Sequence, residues 1–465
     1  MAELARLVSQ LRPTLGRRSA YVDLANALRA LILDGQLLVG DRLPPQRALA
    51  AGLELSRATV VASLTLLHAE GYLASRQGSG TTVCLPADRT DRPDEAVGVA
   101  RAEEPAIDLS IAAPPAPRQV APAALRAAER LPEFLAGPGL HPFGLPELRA
   151  AIATRLTGRG LPTTPDQVLV TQGALHAWDL VLRTFARPGG TVLVEQPSYP
   201  AAIDAVRAHR ARPQPLGVSA AGWQWPSRAL RPHELAYLVP DFQNPTGHFA
   251  AEDQRRELAR RLDGAVLCID ETFAELGDPD GPAALPTARF APDALTIGSL
   301  SKLVWAGVRV GWLRGPRATL HRIAAARSSQ DIAAPVLDQL LALELMRDLD
   351  DIRDERRAVL RERRRHAVGL VRAAGWRVDE PAGGMMLWVD LQGGSSTRLS
   401  TAARALGVRV PPGTRFSTSQ THDRFFRLPF TAPAEQLTAA VHRMAAAAAG
   451  TTADNDPVRT AIWTV

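Results

Sequence analysis

Lysine and arginine together number 54 in this 465-residue chain, and only Lys302 is a lysine. It lies in "TIGSLSKLVWAGVRVGW", residues 296–312. Arginine can replace a surface lysine wherever only charge matters. It cannot replace one whose amine must lose its proton and add to a carbonyl, because a guanidinium stays protonated. The surviving lysine therefore points to covalent amine chemistry. Ser299 and Arg309 flank it with a hydroxyl and a two-pronged guanidinium, groups suited to holding a phosphate.

Other groups of fitting type stand just after strand-like runs. Asp270 ends "AVLCID", where a buried carboxylate can keep a ring nitrogen protonated, although an Asp after a strand also serves as a cap. Asn244 lies in "DFQNPTG" and is one of three asparagines in the chain; a plain turn is the other reading of that segment. Tyr199 in "EQPSYP" offers a flat aromatic face. "TQGAL", residues 171–175, opens a helix whose backbone amides at Ala174 and Leu175 can receive a phosphate.

These residues need a scaffold that gathers strand ends. From Asp108 onward, apolar runs ("QVLV", "TVLVE", "AYLVP", "AVLCID", "ALTIG") alternate with Ala/Leu/Arg-rich helical segments. That alternation predicts a mostly parallel sheet covered by helices, with ligands at the carboxyl ends of its strands. After Gly311 a long helical region is expected, followed by a smaller α+β part. Its arginine run, "DERRAVLRERRR", is interleaved with acids and reads as a solvated helix face.

In this order the motifs resemble the fold-type I pyridoxal-phosphate aminotransferases over residues 108–445. The resemblance implies pyridoxal 5'-phosphate as cofactor, with Lys302 forming the internal aldimine and Asp270 facing the pyridine nitrogen. It further implies Asn244 on the phenolic oxygen, Tyr199 on the ring face, and Ser299, Arg309 and the amides of Ala174 and Leu175 on the phosphate. "FFRLPF" matches the segment carrying that family's carboxylate-binding arginine, here Arg427. Two departures matter. "DETF" places Phe273 where the family has a tyrosine, and "GPGLHPFGLPELR" lacks the tyrosine that precedes Gly144 in the family. Without those hydroxyls covalent capture survives, but fast transamination becomes doubtful.

The first 85 residues have a different logic. Tyr21, Leu24, Leu28, Leu31 and Ile32 recur at helical spacing, a short helix is expected near Pro45–Ala51, and Ser56 caps a helix bearing Val60, Leu64 and Leu67. "GYLASRQGSGTTVCL" then reads as strand, glycine turn, strand. The segment resembles the GntR-class winged helix-turn-helix. That resemblance places Ser56, Arg57 and Thr59 at the major groove, Arg47 on the preceding helix, and Arg76 with the Gly78–Gly80 turn on the wing. A net charge of +6 and a pI near 10.0 permit a polyanionic partner without proving one.

Residues 86–107 have linker composition and 451–465 read as a tail, leaving 108–450 as the large domain. Cys84 and Cys268 lack metal-ligand spacing and fit a reducing compartment, no metal site is expected, and no apolar run is long enough to span a membrane. The protein is expected to be cytoplasmic. A winged helix joined to an aminotransferase-like domain resembles the MocR-type transcriptional regulators. That implies a homodimer that binds a double-stranded DNA operator and senses pyridoxal phosphate, a small amino compound, or both. The alternative is an active aminotransferase whose DNA-binding unit is secondary. Borohydride reduction of cofactor-loaded protein should leave the pyridoxyl mark on Lys302, as peptide mapping would show; a mark elsewhere contradicts the assignment.

Overall fold

The computed structural model describes residues 2–12, 20–76, 80–86, 107–219, 222–225 and 234–453. Helices α1 (Ala2–Leu11), α2 (Ala20–Leu33), α3 (Gln46–Leu53) and α4 (Arg57–Ala69) precede strands β1 (Leu73–Arg76) and β2 (Gly80–Val83). Leu24, Leu28, Ile32, Val60, Leu64 and Leu67 bury together in a core of their own, whereas Tyr21 is 45% exposed. Between α3 and α4, Glu54 takes a left-handed conformation (φ 58°), and the two helices meet at 119°. The Ser56 hydroxyl accepts from the Thr59 amide at 3.0 Å, satisfying one of the donors left over at the start of α4. β1 and β2 pair antiparallel with Arg76 opposite Gly80, the geometry of a wing.

The second core forms around an eight-stranded sheet. Its strands are β4 (Val168–Thr171), β5 (Thr191–Gln196), β6 (Arg212–Ser219), β7 (Gly222–Gln224), β8 (Leu235–Leu238), β9 (Val266–Asp270), β10 (Leu295–Ser299) and β11 (Gly311–Arg314). Strand β3 (Ile107–Asp108) lies before them, at the entrance to this domain. The order across the sheet is β4-β11-β10-β9-β8-β5-β6-β7, with only β11 and β7 running against the rest. The five apolar runs of the sequence fall on β4, β5, β8, β9 and β10. Strand β11 is the exception: helix was expected after Gly311, but "GWLR" is buried at all four positions and so carries no alternating pattern to mark it as a strand.

The smaller part contains β12 (Arg377–Val378), β13 (Met386–Asp390) and β15 (Phe425–Pro429) as one antiparallel sheet, while β14 (Val408–Arg409) pairs with β3. The helix Leu349–Ala373 packs beneath it, and its arginines are not all solvated. Arg356 and Arg364, eight residues apart and so on one helix face, are buried. Arg356 donates to the carbonyls of Pro115, Leu303 and Val304, and Arg364 pairs with Asp278 at 2.5 Å. The last helix, Ala434–Ala453, runs three residues into the segment read as a tail. Among the described residues no single helix is long and apolar enough to cross a membrane.

The winged-helix unit touches the small part near the start of β15. Arg424 reaches Asp34 at 2.5 Å and Asp390 at 2.9 Å, and the His422 amide donates to the Leu33 carbonyl at 2.5 Å. Gly35, at φ +69°, lies so close to the His422 ring that an added Cβ would stand 2.2 Å from Cε1. Because the two cores are separate, they should unfold separately. Leu64→Ala should lower the stability of the winged-helix unit by about 2–5 kcal/mol and leave the transition of the large domain in place, as denaturant titration followed by calorimetry would reveal.

Candidate cofactor and effector site

Four adjacent strands, β10, β9, β8 and β5, end on the same side of the sheet, and neighbouring strands lie about 4.8 Å apart. Asp270 closes β9, while Lys302, Tyr199 and Asn244 follow the ends of β10, β5 and β8 in the connecting segments. Sheet order alone therefore sets four groups from distant parts of the sequence in a row.

Lys302 lies in a single helical turn, Leu300–Leu303, and its Nζ donates to the Ala112 carbonyl at 2.8 Å. The amine's pKa falls from the usual lysine range to about 8: burial is the main cause, the positive charges of Arg427 and Arg309 push the same way, and Asp270 opposes them. Phe273 presents its ring 5.8 Å from Nζ, so the position where a hydroxyl was sought holds an apolar face.

Asp270 is buried, and both of its carboxylate oxygens are engaged. Oδ1 accepts from the Thr272 amide at 2.9 Å and Oδ2 from the Tyr237 hydroxyl at 2.5 Å. Burial raises the carboxyl's pKa, and these two hydrogen bonds and Lys302 pull it back. Asn244 Oδ1 accepts from Arg427 Nη1 at 3.4 Å, while Arg427 Nη2 donates to the Ser110 carbonyl. Arg427 is buried over the Phe416 ring, 4.9 Å from its centroid, and burial lowers its pKa to about 10, so it stays charged at neutral pH. Tyr199, at the start of the helix Pro200–Ala208, is partly buried against the main core.

A second cluster lies after β4. Gly173, at φ +94°, begins the twelve-residue helix Ala174–Phe185, and a Cβ there would sit 3.1 Å from Arg309 Nη2. Arg309 also donates to the Gln172 carbonyl at 3.0 Å, which holds the guanidinium against the first amides of that helix. Gln172 is fixed in turn by Asp331 at 2.8 Å, and Asp331 by the buried Arg327. The Ser299 hydroxyl has Ser301 Oγ at 2.9 Å and the Val310 carbonyl at 3.1 Å as alternative acceptors for its one hydrogen, and it accepts from the Ser301 amide, so it also caps its own helical turn. The Leu175 side chain is 40% exposed; only its backbone amide is suited to an anion.

These residues fit pyridoxal phosphate. A buried carboxylate, an amine of lowered pKa, a helix N-terminus beside a guanidinium and a close-approach glycine meet that molecule's ring nitrogen, aldehyde and phosphate. Arg427 Nε is buried with no protein hydrogen-bond partner, a donor left over for a further ligand. Two parts of the site escaped the sequence reading. Tyr237 counted there only as a strand residue of "AYLVP", and nothing in "LSIAA" marked the Ser110 and Ala112 carbonyls as acceptors in the site.

In the winged-helix unit, Arg47 near the start of α3 and Arg57 at the first position of α4 are exposed. Ser56 and Thr59 share a hydroxyl contact of 2.7 Å, so Thr59 takes part in the cap. Gly80 takes φ +81° with open space where a Cβ would go. Arg76 is described through its backbone, and Gly78 lies outside the described residues.

The model for "Aminotransferase class I and II" matches residues 104–444, and that for "Bacterial regulatory proteins, gntR family" matches residues 20–83. The chain thus belongs to the class I and II aminotransferase family, as a member joined to a GntR helix-turn-helix in the manner of the MocR/PdxR-type transcriptional regulators. It is similar to the uncharacterised HTH-type transcriptional regulator YisV of Bacillus subtilis, at 30% identity over 77% of this chain and 81% of that one. Its similarity to the pyridoxine biosynthesis regulator PdxR of Corynebacterium glutamicum is 32% identity over 70% and 72%. Among solved structures, LysN of Thermus thermophilus, an α-aminoadipate aminotransferase complexed with N-(5'-phosphopyridoxyl)-L-leucine, matches with a TM-score of 0.67 and 28% identity over 75% of this chain and 93% of that one. The chain is a DNA-binding regulator, and its family implies pyridoxal 5'-phosphate.

Only a neutral amine adds to an aldehyde. On mixing ligand-free protein with pyridoxal phosphate, the capture rate should rise with pH and reach half its plateau near pH 8. Arg427→Ala removes a positive neighbour and should move that midpoint upward; stopped-flow absorbance across a pH series measures both.

Proposed function

We propose that this chain is a cytoplasmic transcriptional regulator that takes pyridoxal phosphate onto Lys302 and reads an amino-acid-like effector through Arg427. The observation that carries the reading is the pairing of an amine of lowered pKa with a buried, charged guanidinium whose Nε has no protein partner. In this reading Asp270 faces the ring nitrogen, Asn244 the phenolic oxygen and Tyr199 the ring face. Ser299, Arg309 and the amides of Ala174 and Leu175 hold the phosphate. When bound, the cofactor supplies an aldehyde that primary amines reach covalently, which suits it to recognising amino compounds. Lys302 provides the competing amine, and Arg427 orients the effector by its carboxylate through charge-assisted hydrogen bonds.

Residues 1–85 form the DNA-binding unit, 86–107 the linker, 108–450 the effector domain and 451–465 the tail. Ser56, Arg57 and Thr59 enter the major groove of the operator; Arg47 adds a contact from α3, and Arg76, Gly78 and Gly80 approach from the wing. Phosphate contacts by these arginines make affinity fall steeply with salt. Leu125, Leu135, Trp305 and Leu337 are exposed, and they lie on or beside segments that pack together around the helix Val336–Arg347. An apolar surface of that kind supports a homodimer. The effector must bind the two states of the regulator unequally, because equal affinity shifts nothing.

Phe273, with no hydroxyl for the phenolic oxygen, favours sensing over rapid turnover. Titrating the protein with an amino-compound panel while recording absorbance and operator retention tests the reading: both signals should move together. Steady multiple-turnover amino transfer to a keto acid would instead favour the enzyme. Arg427→Ala should weaken the response to carboxylate-bearing effectors by at least about tenfold, with cofactor colour retained; an unchanged response rejects Arg427 as the effector's anchor.

A further inference from the structure

Tyr237 is buried in the middle of the sheet, and its neighbours define its role. Trp178 tilts against its ring at a centroid distance of 4.7 Å, and the Trp178 Nε1 is itself tied to the Ala202 carbonyl at 3.1 Å. The hydroxyl is thereby aimed at Asp270 Oδ2, 2.5 Å away. Asp270's other oxygen is held by the Thr272 amide. A carboxyl group normally turns freely about its last torsion; this one is gripped at both oxygens, and each oxygen keeps a second lone pair for another donor.

We propose that Tyr237 is a positioning residue for the cofactor ring, locking the Asp270 carboxylate in the plane and charge state that hold the ring nitrogen protonated. A carboxylate buried this deeply tends to take up a proton and become neutral. A neutral acid cannot hold a pyridinium by charge. The hydroxyl opposes that drift, and burial together with the Asp270 charge keeps the phenol itself protonated, so it remains a donor. The tyrosine that the family places at position 273 bonds the phenolic oxygen, not the ring nitrogen. Tyr237 does not replace it; it acts on the ring nitrogen through Asp270. The inference rests on pyridoxal phosphate binding at Lys302.

The test reads a spectrum. In wild-type protein the visible band of the bound cofactor is lost above some pH, and that midpoint depends on the charge of the ring nitrogen, because a positive ring withdraws electrons from the Lys302 linkage. Tyr237→Phe removes one hydrogen bond to a charged group, worth roughly one to two pH units. The midpoint should therefore rise by about one unit, and cofactor affinity should fall about tenfold. In an Asp270→Asn background the same substitution should shift nothing further. Placing 3-fluorotyrosine at 237, a stronger donor of nearly the same shape, should lower the midpoint and guards against a folding defect in the phenylalanine variant. A Tyr237→Phe midpoint within about 0.3 unit of wild type, or an equal shift in the Asp270→Asn background, overturns the proposal while leaving cofactor binding intact. If wild-type protein develops no band at all, the covalent-sensor reading fails and this inference fails with it.

Discussion

A partly buried amine held near two guanidinium groups is the interaction on which the site depends. Lys302 loses much of its hold on a proton because burial and the charges of Arg427 and Arg309 outweigh the attraction of Asp270. None of those charges stands alone, and of the three Asp270 and Arg427 are buried while Arg309 is exposed. Asp270 has Tyr237 and Thr272, Arg427 has Asn244 and Ser110, and Arg309 has Gln172. A buried charge without such partners costs more than a domain of this size can spare. The polar network is therefore as much a condition of the fold as of the chemistry.

The sheet supplies the rigidity this network needs. Catalytic-type groups placed on the ends of adjacent parallel strands inherit their spacing from the backbone hydrogen-bond ladder rather than from flexible side chains. This also explains how a regulator can retain an enzyme's scaffold. Recognition of a small amino compound requires the same fixed geometry as its conversion, and one architecture serves either use depending on which hydroxyls and bases are kept. Phe273 is the clearest local sign of that choice, since it occupies a polar family position with a ring that neither donates nor accepts.

Much of this was legible in the residues because unusual chemistry leaves unusual composition. A single lysine in an arginine-rich chain, an Asp closing an apolar run and an Asn-Pro-Thr-Gly turn are informative before any folding is considered. The large strands were legible too, being β-branched or leucine-rich runs bounded by turns. What escaped was relational. Tyr237 has an ordinary strand context, and only the lateral order of β8 and β9 reveals that its hydroxyl meets Asp270. Strand β11 escaped because uniform burial erases periodicity. Arg356 and Arg364 looked like surface charge, since the carbonyls and the carboxylate that receive them come from remote segments.

The stretch from Arg424 to Arg427 joins two neighbourhoods. Arg427, within β15, turns into the site beside Asn244, whereas Arg424, in the turn just before that strand, reaches out to Asp34 just past the end of α2. Between them Phe425 lies flat on Trp388, with rings 5.4 Å apart and 5° from parallel, much as a bearing supports a rocker. An extended segment of that length neither stretches nor compresses appreciably. The two guanidinium groups therefore hang from backbone points a fixed short distance apart, one beside Asn244 and the other on Asp34 of the DNA-binding unit.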